Sequence, residues 1–347
     1  MRYHQLSNTD VQVSELCLGT MTFGEQNTEQ EGFDQLDMAV DHGINFIDTA
    51  EMYPVPPRAE TMGRTETIIG NWLARRKRRD DVIIATKVAG PGRDWLKYIR
   101  GGANRLDRDN IRQAVSASLQ RLQTDVIDVY QLHWPDRETN CFGKLGYVHP
   151  EDDASVPLLE TLQVLAELVD EGKIRHVGVS NETPWGVMRL VQMSAEHGLP
   201  RPVSIQNPYN LLNRTFEIGL AEIAHRESVG LLAYSPMAFG VLSGKYLAGQ
   251  RPPGSRLVRF PGYDRYSNVQ AQKASHDYVT LARDYGIDPA QMALAYVNSR
   301  PFVTSNIIGA TSTSQLRSNL KSVDLALGAE LLGEIEEIHR RHPNPSP

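Results

Sequence analysis

The sequence has little with which to brace or anchor itself. Cysteine occurs only twice in 347 residues, at Cys17 in an apolar run and Cys141 in a polar one. One potential pair is no disulfide framework, so a reducing, cytoplasmic setting is expected. No apolar stretch approaches the ~20 residues a membrane helix requires, and Met1 to Leu6 lacks the apolar core of a secretory signal. A soluble chain with no membrane partner is expected. Positive charge is not in excess either: Lys plus Arg number 36 against 42 Asp plus Glu, a net charge of −6. That argues against a nucleic-acid partner, since nothing supplies a broad phosphate-neutralising surface. The one basic run, Arg75 to Arg79, falls where a helix should end, and there cations complement the helix dipole.

Several familiar signatures are also missing. No Gly-x-Gly-x-x-Gly occurs, which removes the usual dinucleotide fingerprint. There is no His-Glu-x-x-His and no Cys-x-x-Cys, so no metal site is expected. Gly178 to Glu182 lacks the second glycine of a nucleophile elbow. The stretch from Gly240 through Gly244 and Lys245 to Tyr246 resembles a phosphate loop but is one residue short, with Tyr in place of the Ser/Thr. It is not a nucleoside-triphosphate site. It remains able to cradle phosphate, because glycines expose backbone N–H groups and Lys245 adds charge.

What is present is rhythm. Residues 2 to 13 read as a short hairpin, with Val11 and Val13 alternating against polar neighbours and Asn8-Thr9-Asp10 as the turn. From Leu16 onward, short apolar runs alternate with helical patterns. The runs are Leu16–Leu18, Asn45–Asp48, Val82–Thr86, Val126–His133, Ile174–Val179, Ser204–Gln206, Gly230–Tyr234 and Ile307–Ile308. Helices are expected between them, among them 184 to 196, 215 to 227, 270 to 284 and 289 to 299. The stripe Ile111, Val115, Leu119, Leu122 illustrates the pattern, with spacings of four, four and three. An even alternation without a break in composition predicts a parallel sheet. Eight units predict one closed (β/α)8 TIM barrel over residues 1–347, with an N-terminal hairpin and an extra C-terminal helix at 330 to 341. An open, doubly wound sheet is the alternative. Pro343 to Pro347 reads as a frayed tail.

In such a barrel the C-terminal strand ends share one mouth, where activity sits. Three runs end in chemistry rather than in turn residues. Asn45–Ile47 ends in Asp48, with Tyr53 five residues on; Val82–Thr86 ends in Lys87; Val126–Leu132 ends in His133. Singly, each has an ordinary structural explanation. Together they make a site. A free tyrosine, with a pKa of about 10, is too weak an acid for rapid donation at neutral pH. A neighbouring ammonium favours the phenolate and lowers that value. Asp48 would hold Lys87 charged, and His133 would donate to a carbonyl oxygen. Delivering a proton to oxygen calls for a matching electron source that no side chain supplies, so a cofactor is required. Lys87 as a Schiff-base nucleophile is the rival chemistry.

The chain resembles the aldo-keto reductases, NADP-dependent (β/α)8 oxidoreductases, over nearly its full length. The resemblance is carried by Gly43 to Tyr53, Ser118 to Pro135, Gly172 to Asn181 and Ile205 to Asn210. Glu51 to Pro57 and Asn140 to Tyr147 resemble the Tas-like bacterial subgroup of that family. The resemblance implies an enzyme that reduces aldehyde or ketone carbonyls by hydride transfer from NADPH, with a small carbonyl compound as partner. It implies a catalytic tetrad of Asp48, Tyr53, Lys87 and His133, with Tyr53 as general acid. Nicotinamide contacts would be Ser180, Asn181 and Gln206, with Tyr234 stacking on the ring. The pyrophosphate loop would be Ser235 and Pro236 through Leu242, Gly244 and Lys245. The adenosine-phosphate end would use Lys245, Arg256, Gln315 and Asn319, with Gly309 to Thr311 nearby. Two cations there favour NADPH over NADH. The family also contains NADPH-binding subunits that report redox state to a partner with little turnover, and that is the alternative function. Three positions depart from the usual pattern: a Pro-rich insertion between Tyr53 and Gly63, Ser318 in place of an acid, and Ile308 in place of a proline. Substrate choice is expected to depend on Met21, Phe23, Met52, Trp95, Trp134 and Phe239. The loops 54–62 and 135–153 are expected to narrow the mouth.

Overall fold

Eight parallel strands close into a barrel, and a two-stranded hairpin precedes them. The computed structural model describes residues 1–92 and 94–347. In the hairpin, β1 (Tyr3–Gln5) pairs antiparallel with β2 (Gln12–Ser14). The barrel strands are β3 (Leu16–Gly19), β4 (Phe46–Asp48), β5 (Ile83–Val88), β6 (Ile127–Leu132), β7 (Ile174–Ser180), β8 (Pro202–Pro208), β9 (Gly230–Tyr234) and β10 (Val303–Ile308). The ring closes where β10 pairs with β3, Ile307 opposite Cys17.

The helices are α1 (Glu29–Asp41), α2 (Arg64–Arg76), α3 (Arg108–Leu122), α4 (Leu158–Asp170), α5 (Pro184–His197), α6 (Leu220–Arg226), α7 (Arg256–Arg259), α8 (Val269–Asp284), α9 (Pro289–Asn298), α10 (Thr313–Leu320) and α11 (Ala329–Arg341). Their starts are specified locally. Thr28 and Glu31 form a capping box on α1, and Asp107, Thr183, Asn268, Asp288 and Ser312 each accept a backbone N–H at a helix start. Such caps satisfy donors that the first turn leaves orphaned. None of the helices among the described residues is long and apolar enough to cross a membrane.

Side-chain alternation along the strands sets where the site forms. Cys17, Phe46, Ala85, Val129, Leu232 and Ile307 pack together inside the barrel over Leu6 and Val13 of the hairpin. Two residues further along, strand side chains point the same way. From Phe46 that residue is Asp48, from Ala85 Lys87, from Val129 Gln131 and from Leu232 Tyr234. An apolar floor therefore changes to a polar layer within one pleat.

Three expectations need correction. Residues 215 to 227 are not one helix: a short 3-10 turn over Thr215–Glu217 is separated from α6 by Gly219 at φ +98°. An L side chain rarely adopts that conformation, so the break is built in. β10 is longer than Ile307–Ile308, because its polar Ser305 and Asn306 are buried and bonded, Ser305 Oγ donating to Ser14 O at 2.7 Å and Asn306 Nδ2 to Asn298 Oδ1 at 2.8 Å. The tail is docked rather than frayed. The Ser346 N–H donates to Leu212 O (3.0 Å), Asn268 Nδ2 to Pro345 O (2.9 Å) and the Arg214 N–H to Asn344 Oδ1 (2.6 Å).

The basic run is structural. α2 ends at Arg76, Arg76 pairs with Asp81 at 2.7 Å, and Arg79 pairs with the buried Asp128.

Candidate active site

Asp48 closes β4, Lys87 lies in β5, and His133 directly follows β6. Tyr53 reaches the same point from the turn beyond β4, where its N–H donates to Ala50 O (3.0 Å) and its carbonyl accepts from the Gly63 N–H (3.0 Å). The fully buried Lys87 Nζ donates to Asp48 Oδ2 and to Thr49 O, both at 2.7 Å. It lies 4.9 Å from the centre of the Tyr53 ring. The His133 ring meets that of Tyr53 edge-on, 5.8 Å between centres. The second oxygen of Asp48 is also occupied, accepting from Gln206 Nε2 at 2.8 Å and Gln131 Nε2 at 3.2 Å. The four residues legible at strand ends therefore do converge.

Burial pushes the Tyr53 phenol above its usual pKa, while the Lys87 ammonium pulls the other way without prevailing. The expectation that the ammonium lowers this pKa is thus right about the direction of its pull and wrong about the balance, because desolvation of a phenolate is the larger effect. Burial works against the charge of Lys87, but Asp48 and Tyr53 outweigh it and its pKa is raised. His133 is held well below the ordinary histidine range, first by burial and then by Lys87, so its imidazole is neutral and keeps one N–H to donate. The Nδ1 atom of His133 is buried and has no partner among the described residues.

The site opens into a cavity of about 1130 Å³. Ser180, Asn181, Gln206 and Tyr234 line it close to the tetrad and form a bonded set. Asn181 Nδ2 donates to His133 O (2.9 Å), the Tyr234 hydroxyl to Asn181 Oδ1 (2.6 Å), and Ser180 Oγ to Gln206 O (2.8 Å). Ser235, Pro236, Lys245, Arg256, Gly309, Thr311 and Gln315 line the remainder. Arg256 is notable for what it lacks. Its Nε is buried without a partner among the described residues, and its guanidinium stacks on Phe239 (4.3 Å) and Tyr263 (5.1 Å). Burial lowers its pKa, and the groups acting most strongly on it are phenols, not carboxylates. A buried cation of this kind fits an anionic group such as a nucleotide phosphate.

Three residues assigned by resemblance lie elsewhere. Leu242 is core, Gly244 abuts Val279, and Asn319, itself not lining the cavity, donates to the O of the lining residue Gly309 at 3.2 Å. Of the residues expected to shape substrate choice, Met21, Met52, Trp95 and Phe239 line the cavity, whereas Phe23 and Trp134 are buried. The loops 54–62 and 135–153 do rim the mouth, through Val55, Pro56, Pro57 and Phe142, but a cavity of about 1130 Å³ is not the narrow one expected. Gln131 and Arg265 went unnoticed in the sequence. Gln131 had a signal, two residues beyond inward-facing Val129. Arg265 had none, being a loop residue placed by packing.

The barrel, the convergent Asp-Tyr-Lys-His group and the adjoining cavity define an oxidoreductase, and the chain belongs to the Aldo/keto reductase family, whose profile matches residues 15–340. It is 55% identical to "Protein tas" of Escherichia coli (strain K12), each protein covered over its whole length. It is also 34% identical to "Uncharacterized oxidoreductase YrpG" of Bacillus subtilis (strain 168), over 97% of this chain and 96% of that protein. At 31% identity, over 99% of this chain and 98% of the relative, it resembles a "Probable voltage-gated potassium channel subunit beta" of Arabidopsis thaliana.

Proposed function

We propose that the protein is an NADPH-dependent reductase of aldehydes and ketones, working in the cytoplasm, with Tyr53 as its general acid. The observation that carries this reading is Tyr53 beside the Lys87–Asp48 pair and neutral His133, at one end of a cavity that also holds Arg256, a cation without a carboxylate partner among the described residues. The cofactor supplies the hydride. Tyr53 gives its proton to the carbonyl oxygen, and Lys87, held charged by Asp48, stabilises the phenolate left behind. The neutral imidazole of His133 donates to the same oxygen and orients the carbonyl. Ser180, Asn181 and Gln206 would hold the nicotinamide carboxamide, and Tyr234 would support its ring. Arg256 and Lys245 are the cations suited to the ribose phosphate, which favours NADPH over NADH.

The test is NADPH oxidation with a panel of aldehydes. Tyr53→Phe is expected to lose about 10²- to 10⁴-fold in kcat, the scale of general-acid catalysis. Full turnover by that variant overturns the assignment. A second reading, an NADPH-binding regulatory subunit, draws on the potassium-channel relatives. Tight NADPH binding, no turnover of any carbonyl and a co-purifying partner would favour it.

A further inference from the structure

Among the described residues three cations line the cavity: Lys245, Arg256 and Arg265. The first two face the end suited to cofactor phosphate. Arg265 belongs to a different wall, which can be followed ring by ring from the tetrad. The His133 and Trp134 rings are 5.0 Å apart, and Trp134 meets Phe142 at 5.6 Å. The next residue, Gly143, lies so close to Arg265 that an added Cβ would sit 3.1 Å from its Nε. On the same side, Trp95 packs 6.1 Å from Trp134 and, like Phe142, lines the cavity.

The surroundings of Arg265 are phenolic. Burial opposes its charge, but Tyr234 and Tyr266 outweigh that and its pKa is raised. The Tyr266 ring centre is 6.0 Å from its guanidinium carbon. No carboxylate among the described residues lies within ion-pair distance of it, whereas the buried carboxylates of Asp48, Glu51, Asp136 and Glu182 are each paired with another cation. A partly desolvated guanidinium without a counter-ion is incomplete.

We propose that Arg265 anchors a carboxylate on the substrate, so that the preferred substrates are aromatic or bulky apolar aldehydes and ketones bearing one carboxylate beyond the carbonyl. The inference rests on the carbonyl-reductase reading and names its substrate class. The planar fork of arginine matches a planar carboxylate in bidentate fashion. One cation balances one charge, which suits a carboxylate better than a phosphate dianion. The aromatic wall between His133 and Arg265 takes the apolar body, leaving the carbonyl at Tyr53.

The full-length protein with NADPH is assayed on a matched pair, 4-carboxybenzaldehyde and its neutral analogue 4-carbamoylbenzaldehyde. The wild type is expected to favour the carboxylate by about 10- to 100-fold in kcat/KM, the worth of a charge-assisted pair. Arg265→Met brings that ratio towards one, and Arg265→Lys restores part of it. NADPH affinity, read by fluorescence titration, verifies that both variants are folded and stays close to wild type. A wild-type ratio near one overturns the proposal, as does an equal loss on both substrates in Arg265→Met. A large loss of NADPH affinity with the ratio preserved also overturns it, assigning Arg265 to the cofactor. If neither aldehyde turns over, the carbonyl-reductase reading fails separately, and the anchor is read by titrating the NADPH-loaded protein with benzoate and benzamide. Benzoate binding that Arg265→Met abolishes sustains it, and equal binding of the two compounds overturns it.

Discussion

Tyr53 sits where its proton is held more firmly than in water, because burial outweighs the pull of Lys87. The direction of the shift fixes the expected pH behaviour. With Tyr53 as the proposed acid, carbonyl reduction needs the protonated phenol, so its rate should be flat from about pH 6 to 9 and fall only above the ordinary phenol range. The reverse reaction, alcohol oxidation with NADP, needs the phenolate, so its kcat should climb about tenfold per pH unit over the same interval. Paired pH–rate profiles test both; a reduction rate that falls through neutrality would remove Tyr53 from the role. Lys87 is the second test at this scale. Lys87→Met strips a buried carboxylate, Asp48, of its ammonium, and breaking such a pair costs about 3–5 kcal/mol. Urea unfolding of the variant should show that loss. Since the folded pKa of Lys87 is raised, the stabilising contribution is fully present below its unfolded pKa. It disappears as pH rises through the folded one.

At the scale of elements, α2 and α3 meet at a glycine that cannot be replaced cheaply. A Cβ on Gly70 would lie 2.1 Å from Arg121 O and 2.8 Å from Leu122 C. Gly70→Ala raises helix propensity by about 1 kcal/mol, yet it should destabilise the protein by about 1–3 kcal/mol, because the backbone of the next helix must move. A urea midpoint that rises would show the contact to be looser than described. Docking of the C-terminal tail makes a second expectation. Four hydrogen bonds tie Asn344, Pro345 and Ser346 to Arg214, Asn268 and Leu212. Ending the chain at His342 should therefore lower stability by about 2–6 kcal/mol, at roughly 0.5–1.5 kcal/mol net per bond. That tail was illegible in sequence, since nothing in a proline-rich pentapeptide announces the groove that receives it. The barrel was legible, because apolar runs of strand length recurred between one-sided helical stripes such as Ile111 to Leu122. β10 was half hidden by Ser305, whose side chain bonds to distant Ser14, and by Asn306, which bonds to Asn298 at the end of α9. The tetrad could be read because Asp48, Lys87 and His133 each end an apolar run and Tyr53 follows Asp48 by five residues. Arg265 could not, since its neighbours Gly143, Tyr234 and Tyr266 are brought to it only by the fold.

For the molecule as a whole, burial has made several histidines reluctant bases. His133, His176 and His339 all have pKa values lowered chiefly by desolvation. Below about pH 6.5, the unperturbed value, the unfolded chain takes up protons that these residues decline in the fold. Stability should therefore fall as pH drops from 7 towards 5, by amounts read from the urea midpoint. The fall should be shallower in His133→Phe. An unchanged slope would mean that His133 accepts its proton without cost in the folded state.

An enzyme that gathers aldehydes faces a hazard from its own amines, because a neutral amine condenses with an aldehyde carbonyl. Lys87 is the amine of the tetrad, and it is fully buried, charged, and donating to both Asp48 and Thr49. It offers no lone pair. On the proposed reading, the ion pair that serves Tyr53 would thus also shield the catalyst from self-modification, and it argues against Lys87 as a Schiff-base nucleophile. Prolonged exposure to substrate aldehyde and borohydride should tag surface lysines while leaving Lys87 unlabelled and the site intact.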